Sequence, residues 1–393
     1  MEKQGRIIIF TGKGGVGKTS VASAHAVKAS DEGLKTILIS TDMAHNLSDL
    51  FMTPVGQTPK VIKENLTALE INPEYEMNHE FENLMRALYE MLPTEIGNIQ
   101  ELIMIPGVEE LFSLLKVKKI YESGEYDLII VDCAPTGETL SLLKFPELLS
   151  WYMEKFFPLG KMAMKVMHPI SKPLFNLQLP DGKAMDDIEN LYLQLNDLNL
   201  LLKDRTVSSV RIVALPERMV VEETKRNYMY LNLYQFQSDG LFINRVLPEG
   251  ADAAFFNDWH ELQRKFTGEL ENAFTGVDIC KIPWYDTDLN GIDALRRLYK
   301  DAFDLPDLFE VRRTVNNEKY EKTEDGYRME LFLPFCDKKD IDLSEGDNEL
   351  IVKIGNFRRD IMLPSVMRKH HVCGAKMNDS VLSINFTEDK DNG

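Results

Sequence analysis

Residues 12–19 read Gly-Lys-Gly-Gly-Val-Gly-Lys-Thr and directly follow the apolar run Ile7-Ile8-Ile9-Phe10. A buried strand that leads into a glycine-rich loop and then a helix is the usual context of a phosphate-binding loop. The glycines permit a tight turn whose backbone N–H groups point at phosphate oxygens, and the helix adds the positive end of its dipole. The stretch therefore predicts a site for a nucleoside triphosphate.

Two side chains of this loop have predicted roles. Lys18 is expected to reach the β- and γ-phosphates, and the Thr19 hydroxyl is expected to bind Mg²⁺. A chance glycine-rich turn is the alternative, but a full match after an apolar strand disfavours it. The predicted nucleotide-binding residues of the loop are Gly12, Lys13, Gly14, Gly15, Val16, Gly17, Lys18, Thr19 and Ser20.

Composition limits the classes of function. The 393 residues suffice for two domains, and the net charge of −18 disfavours nonspecific binding to nucleic acid or to anionic membranes. The four cysteines form no C-x-x-C pair, which argues against a zinc site and indicates a reducing, cytoplasmic environment. The first apolar run is too short for a signal peptide or a membrane span, so we expect a cytoplasmic protein that does not span the membrane.

The apolar pattern predicts a doubly wound α/β domain with a mostly parallel sheet. Short β-branched runs alternate with segments of helical period, which favours parallel strands covered by helices on both faces. In the first helix the small residues Ala22, Ala26 and Ala29 lie on one face, and Gly33 is a natural end. The predicted strands span residues 6–10, 36–40, 127–132, 208–215 and 241–247.

A helical subdomain is predicted within the α/β domain, at about residues 74–120 and 145–203. Apolar residues recur at intervals of three or four from Met185 to Leu202, which is typical of an amphipathic helix. The preceding stretch contains Met162, Met164 and Met167. Ordinary core packing explains such methionines, but flexible thioethers also suit a surface that binds hydrophobic clients.

The pattern changes near the C-terminus. We assign residues 1–312 to the α/β domain and the polar stretch 313–326 to a linker. Residues 327–393 contain only strand-like segments with alternating apolar and polar side chains, which predicts an all-β sandwich.

Two acidic residues lie at the carboxyl ends of predicted strands. Asp42 comes after the second strand and Asp132 ends the third. Hydrolysis of a γ-phosphate needs a positioned water and a metal held by hard oxygen ligands, and both are expected at the carboxyl ends of neighbouring strands. Thr19, Asp42 and Asp132 are therefore the candidate residues around the metal.

The phosphate loop and residues 41–49, 132–140 and 242–248 together resemble the ATPases that drive arsenite pumps and target tail-anchored membrane proteins. The resemblance covers roughly residues 5–310. It implies that Asp42 orients the attacking water and that Asp132 belongs to the Walker B strand near Mg²⁺. It also implies that Asn244 and the backbone around Pro283 hold the adenine, whose base edge an amide can match.

The extra lysine of the loop, Lys13, marks the deviant Walker A subclass. Here the resemblance implies that this lysine reaches across a homodimer interface to the partner's nucleotide. Lys13, Lys18 and Asp42 are therefore the predicted catalytic residues. In the family, residues 41–49 and 132–140 correspond to two switch loops that sense the state of the nucleotide. Glu138 replaces the usual histidine of the second loop, and neither the arsenite-binding cysteines nor the C-x-x-C zinc pair of the family is present.

The C-terminal segments 355–364 and 375–384 resemble the α-crystallin domain of small heat-shock proteins. Taken together, the resemblances predict a homodimeric, Mg²⁺-dependent ATPase that captures and releases a hydrophobic client protein or binds a membrane-protein receptor, and that binds no nucleic acid. The alternative is the ATPase subunit of an arsenite efflux pump, which the missing thiolates disfavour. An ATPase that positions the division septum or plasmids would need a C-terminal membrane-binding helix or a basic DNA-binding surface, and this C-terminal part predicts a β domain with a polar end. An iron–sulfur reductase would need paired cysteines, and no other cysteine lies near Cys133 in the sequence.

Overall fold

The structure is a computed structural model that describes residues 5–41, 46–79, 108–133, 182–248, 257–274, 276–311, 317–346 and 348–388. The elements of the α/β part are β1 (Arg6–Thr11), α1 (Lys18–Asp31), β2 (Thr36–Ser40), α2 (Asn46–Phe51), β3 (Lys60–Lys63), β4 (Leu66–Glu70), α3 (Pro73–His79), α4 (Val108–Glu122), β5 (Leu128–Asp132), α5 (Gly182–Lys203), β6 (Ser208–Ala214), α6 (Arg218–Leu233), β7 (Ser238–Val246), α7 (Asn257–Ala273), β8 (Asp278–Pro283) and α8 (Ile292–Ala302). The remaining strands are β9 (Glu318–Thr323), β10 (Gly326–Phe332), β11 (Ile341–Glu345), β12 (Glu349–Ile354), β13 (Phe357–Met362), β14 (His370–Asn378) and β15 (Val381–Glu388).

The α/β part contains an eight-stranded sheet in the order β3-β4-β2-β5-β1-β6-β7-β8. The predicted fold class is confirmed, and each predicted strand is present. Strands β3, β4 and β8 were not predicted. Because β3 runs antiparallel to β4, the sheet is mostly rather than wholly parallel.

The chain divides into two compact units, Met1–Ser208 with Tyr285–Phe309 and Ser209–Trp284 with Glu310–Gly393. In the first unit every residue of β1 is buried, as expected for a central strand. The small face of α1 is also fully buried, which confirms its predicted packing role. This helix ends in a Schellman motif, in which Gly33 has φ of +88° and the Leu34 N–H donates to the Ala29 carbonyl oxygen at 3.0 Å.

The predicted amphipathic helix is confirmed as α5 (Gly182–Lys203). Its second half buries Leu195, Leu198 and Leu202 at the predicted intervals. The client-binding candidates Met162, Met164 and Met167 lie outside the described residues. Residues 80–107 and 145–181 of the predicted subdomain lie outside them as well.

In the second unit, the C-terminal strands form two antiparallel sheets, β14-β15-β10-β9 and β11-β12-β13. The core residues alternate along the strands, as Met329 and Leu331 do in β10 and Leu382 and Ile384 do in β15. Residues 318–323 were predicted to belong to a linker, but they form β9 and pair with β10. This strand has mostly exposed charged side chains, so its sequence lacks the apolar alternation of a half-buried strand.

Within the described part of the chain, no helix is long and apolar enough to cross a membrane.

Candidate nucleotide site

The predicted phosphate loop connects β1 to α1 and is shaped by its glycines. Gly15 and Gly17 have φ of +80° and +92°, a region that side chains with a Cβ atom disfavour. The Val16 N–H donates to the Lys13 carbonyl oxygen at 3.5 Å. The Lys18 ammonium donates to the same carbonyl oxygen at 3.4 Å, so this side chain turns back over the loop.

Helix α1 begins at Lys18, and Gly17 is its N-terminal cap residue. No side chain of the described residues caps this end by a hydrogen bond. The first N–H groups of a helix have no partner within the helix and favour an anion. A triphosphate chain therefore fits this end of α1, together with Thr19 and Ser20 in its first turn.

Three strand ends lie level with one another in the first unit. The register pairs Phe10 of β1 with Asp132 of β5, and Asp132 with Ser40 of β2. The Thr41 N–H donates to the Asp132 carbonyl oxygen at 3.0 Å. One edge of the sheet therefore carries the chain that enters the phosphate loop, the Asp132 carboxyl group and the residue before Asp42.

Asp132 is only 1% exposed. A buried carboxylate needs cations or hydrogen-bond donors to offset its lost hydration. Together with the Thr19 hydroxyl it supplies hard oxygen ligands of the kind that Mg²⁺ prefers, so the donor set fits a magnesium ion with a triphosphate. Asp42 and Glu138 lie outside the described residues, and their predicted roles remain predictions.

Glu70 is a site residue that the sequence analysis missed. It ends β4 opposite Ser40 and is 2% exposed. Its Oε1 accepts hydrogen bonds from the backbone N–H groups of Leu47 at 2.9 Å and Ser48 at 3.4 Å, in the first turn of α2. Glu70 thus anchors the helix that follows residues 42–45. Its position as the last residue of a short apolar strand was the only available signal.

The predicted adenine-binding residues Asn244 and Pro283 lie on neighbouring parallel strands of the second unit. Asn244 is near the end of β7, largely buried, and its Oδ1 accepts from the Arg245 N–H at 2.9 Å. Pro283 ends β8 opposite Val246, and the next N–H, of Trp284, donates to the Val246 carbonyl oxygen at 2.8 Å. The register of β7 and β8 shifts between Ile243 and Val246, at Asn244.

Comparison with known proteins identifies the family. Residues 5–304 match the family described as Anion-transporting ATPase, and residues 324–386 match the HSP20-like domain found in ArsA. The "Putative arsenical pump-driving ATPase" of Chlorobaculum tepidum is 35% identical, over 98% of this chain and 96% of its own length. "Putative arsenical pump-driving ATPase 1" of Aquifex aeolicus is 33% identical, over 96% of this chain and 99% of its own.

A second group of relatives covers about three quarters of this chain. The "ATPase get3" of Sclerotinia sclerotiorum is 30% identical over 75% of this chain and 89% of its own length. Both predicted resemblances are thereby confirmed. The chain belongs to the Anion-transporting ATPase family, and its residues 324–386 form the HSP20-like domain found in ArsA.

Proposed function

We propose that this ATPase works as a Mg²⁺-dependent homodimer in the cytoplasm and couples ATP binding and hydrolysis to the capture and release of a hydrophobic protein segment. The observation that carries the proposal is the common edge of β1, β5 and β2. This edge brings together the phosphate loop, the buried Asp132 carboxyl group and Thr41, the residue before Asp42. Such an arrangement is what phosphoryl transfer to water requires.

Each residue of the site has one proposed task. The loop N–H groups and Lys18 hold the phosphates, and Thr19 and Asp132 hold the magnesium ion. The ion would neutralise charge on the β- and γ-phosphate oxygens. Asp42 orients water, and Lys13 donates positive charge to the partner's site.

A mixed-dimer experiment tests the role of Lys13 in the partner's site. Lys13→Ala and Asp42→Asn chains should each be nearly inactive as pure preparations. If Lys13 acts on the partner's nucleotide, a dimer with one chain of each kind has one complete site, so random mixing restores about a quarter of wild-type turnover. No recovery on mixing means that Lys13 acts within its own chain or that no dimer forms, which sedimentation distinguishes.

Client binding is tested with a peptide that resembles a membrane-spanning helix. An apolar surface contributes about 25 cal/mol per Å² buried, so the peptide should bind in a nucleotide-dependent manner. Replacing Met162, Met164 and Met167 by Asp should abolish this binding and leave ATP affinity unchanged. Met219→Asp is the matched control, because this methionine is exposed on α6. Equal binding by the triple variant would refute the proposed client site.

The arsenite-pump subunit is the second candidate. It is favoured by the names of the Chlorobaculum and Aquifex relatives, which align over nearly the whole chain. Arsenite favours clustered thiolates, and no two of the four cysteines are close in sequence. We expect arsenite to leave the rate of ATP hydrolysis unchanged, and clear stimulation would favour the pump.

A further inference from the structure

Helix α8 is attached to α1, the helix that follows the phosphate loop, by several hydrogen bonds to one carboxylate. The carboxylate of Asp31, in the last turn of α1, accepts from Arg296 Nε at 2.9 Å and from a terminal guanidinium nitrogen at 3.0 Å. The Tyr299 hydroxyl donates to it at 2.9 Å, and the Lys63 ammonium donates at 2.7 Å. The Arg296 contact uses two parallel N–H groups on both carboxylate oxygens, which is the strongest and most directional form of ion pair.

The same helix also holds the chain segment that precedes it. The Tyr285 hydroxyl donates to Asp301 Oδ2 at 3.2 Å. The Arg297 guanidinium lies 4.9 Å from the centre of the Tyr285 ring, and one of its nitrogens is 3.5 Å from Asp286 Oδ1. Residues 285–291 are therefore held to α8 by side chains other than those that bind α1.

A backbone contact attaches the end of this segment. The Gly291 N–H donates to the Leu50 carbonyl oxygen of α2 at 2.7 Å. Gly291 has φ of +84° and is the N-terminal cap residue of α8. Below it, Leu295 and Leu298 are buried. Both ends of α8 are thus fixed within the first unit.

The two sets of contacts connect segments with different proposed tasks. Helix α1 begins at the phosphate loop, and residues 285–291 continue directly from the segment proposed to bind the base at Pro283. We propose that α8 holds residues 285–291, which continue the base-binding segment, on the phosphate-loop helix, with Arg296 and Asp31 as the positioning pair for nucleotide recognition. This inference rests on the proposed function, because it takes the base-binding role of that segment as given.

The electrostatics of Asp31 support a permanent contact. Arg296, Lys63 and Tyr299 together hold the pKa of this carboxyl group well below its usual range, despite the opposing effect of burial. Asp31 therefore stays ionised at neutral pH. The positioning pair is a fixed support and not a pH-dependent switch.

The test compares two ligands on the full-length chain, ATP and inorganic tripolyphosphate. Tripolyphosphate carries the phosphate chain without the base, so it measures the phosphate loop alone. Arg296→Met should weaken ATP binding by about tenfold and leave tripolyphosphate binding within about twofold of wild type. Arg296→Lys, which cannot make two parallel hydrogen bonds, should lie between the two.

Two further variants distinguish an effect on nucleotide binding from a loss of folding. Tyr299→Phe removes one donor to Asp31 and keeps the ring, so it should weaken ATP binding by about twofold to threefold in a folded protein. Arg328→Met is the matched control, because this arginine is similarly exposed but lies on β10. Thermal unfolding is measured for each variant.

The outcomes separate the two proposals. Equal weakening of both ligands by Arg296→Met would mean that the pair merely supports α1, and unchanged ATP affinity would mean that it positions nothing. Either result overturns the inference and leaves the ATPase assignment intact. If wild-type protein binds ATP no more tightly than tripolyphosphate, the base-binding assignment itself fails and the inference fails with it.

Discussion

A guanidinium nitrogen of Arg359, on β13, donates a 2.7 Å hydrogen bond to the carbonyl oxygen of Leu233, the last residue of α6. Helix C-termini present carbonyl groups without partners in the helix, and a cation is favoured there. Another nitrogen of the same guanidinium donates to Glu318 Oε2 at 2.6 Å. Next to it, the Tyr234 hydroxyl donates to the Arg358 carbonyl oxygen at 2.9 Å. One buried arginine thus connects the β-domain (residues 317–388) to α6.

Replacing Arg359 by Ala should destabilise the second unit by about 3–5 kcal/mol, because the Glu318 carboxylate would remain buried without its cation. Arg358→Ala is the neighbouring control. That guanidinium is half exposed and pairs with Asp360 across a water-accessible surface, so we expect a change within about 0.5 kcal/mol. Urea denaturation, followed by the fluorescence of the second unit, measures the free energy of unfolding of both variants. Equal effects of the two variants would contradict a special role for Arg359.

Gly326→Ala should disrupt the β-domain. Gly326 has φ of +149° at the start of β10, and a Cβ atom there would lie 2.1 Å from the Phe386 carbonyl oxygen on β15. Neither backbone can move without breaking the ladder between these strands, so the expected cost is about 3 kcal/mol or more. Gly374→Ala is the control, because a Cβ atom there meets nothing within 4 Å. If the β-domain of Gly326→Ala unfolds at the wild-type temperature, the backbone around residue 326 accommodates the added Cβ atom and the prediction is wrong.

The sequence predicted those parts of the fold whose signals are local. The strand, loop and α1 from residue 6 to residue 31 follow from an apolar run, a glycine pattern and small residues at helical spacing. The position of Asp132 at the edge near the phosphate loop follows from the rule that ligands bind at the carboxyl ends of parallel strands. These inferences need no knowledge of which distant residues meet.

Other features depend on contacts that one sequence does not encode in any pattern. The residues of the Asp31–Arg296 pair are 265 positions apart in the chain. β9 was not predicted because an edge strand needs no apolar face when its partner β10 supplies the buried side chains of the core. Glu70 was not predicted to be a site residue because a single carboxyl group at a strand end matches no motif. Its role as the anchor of α2 follows only from its contact with that helix.

Glu70→Ala should lower the rate of ATP hydrolysis more than the affinity for ATP. The buried N–H group of Leu47 and the partly buried N–H group of Ser48 would lose their acceptor, at a cost of about 1–3 kcal/mol, so α2 would lose its anchor directly after residues 42–45. The phosphate loop makes none of these contacts, so nucleotide binding should change little. Glu70→Gln keeps one acceptor oxygen and should retain more activity, and the exposed Glu64→Ala should behave as wild type. Equal losses of affinity and turnover would assign Glu70 a purely structural role.

The cysteines Cys336 and Cys373 should differ strongly in reactivity. Cys336 is buried, its thiol donates to the Asp337 carbonyl oxygen at 3.8 Å, and burial, with the nearby Asp340 and Asp337 carboxylates, raises its pKa to about 11. Since the thiolate is the nucleophile, only about one thiol in a thousand is reactive at pH 8. Cys373 is exposed and should be alkylated first.

The raised pKa of Cys336 also predicts that the free energy of unfolding decreases at alkaline pH. The native state favours the neutral thiol, so the contribution of this residue is fully present below the ordinary thiol pKa near 9.0 and is lost as pH rises from there towards about 11. Iodoacetamide labelling at pH 8 with site-resolved mass spectrometry should give complete modification of Cys373 before any at Cys336, and urea should remove the difference. Raising the pH from 8 to 10 should speed labelling of Cys336 and lower the unfolding midpoint of wild type more than that of Cys336→Ala. Labelling of Cys336 at the rate of Cys373 in native protein would mean that the β-domain opens locally around residue 336.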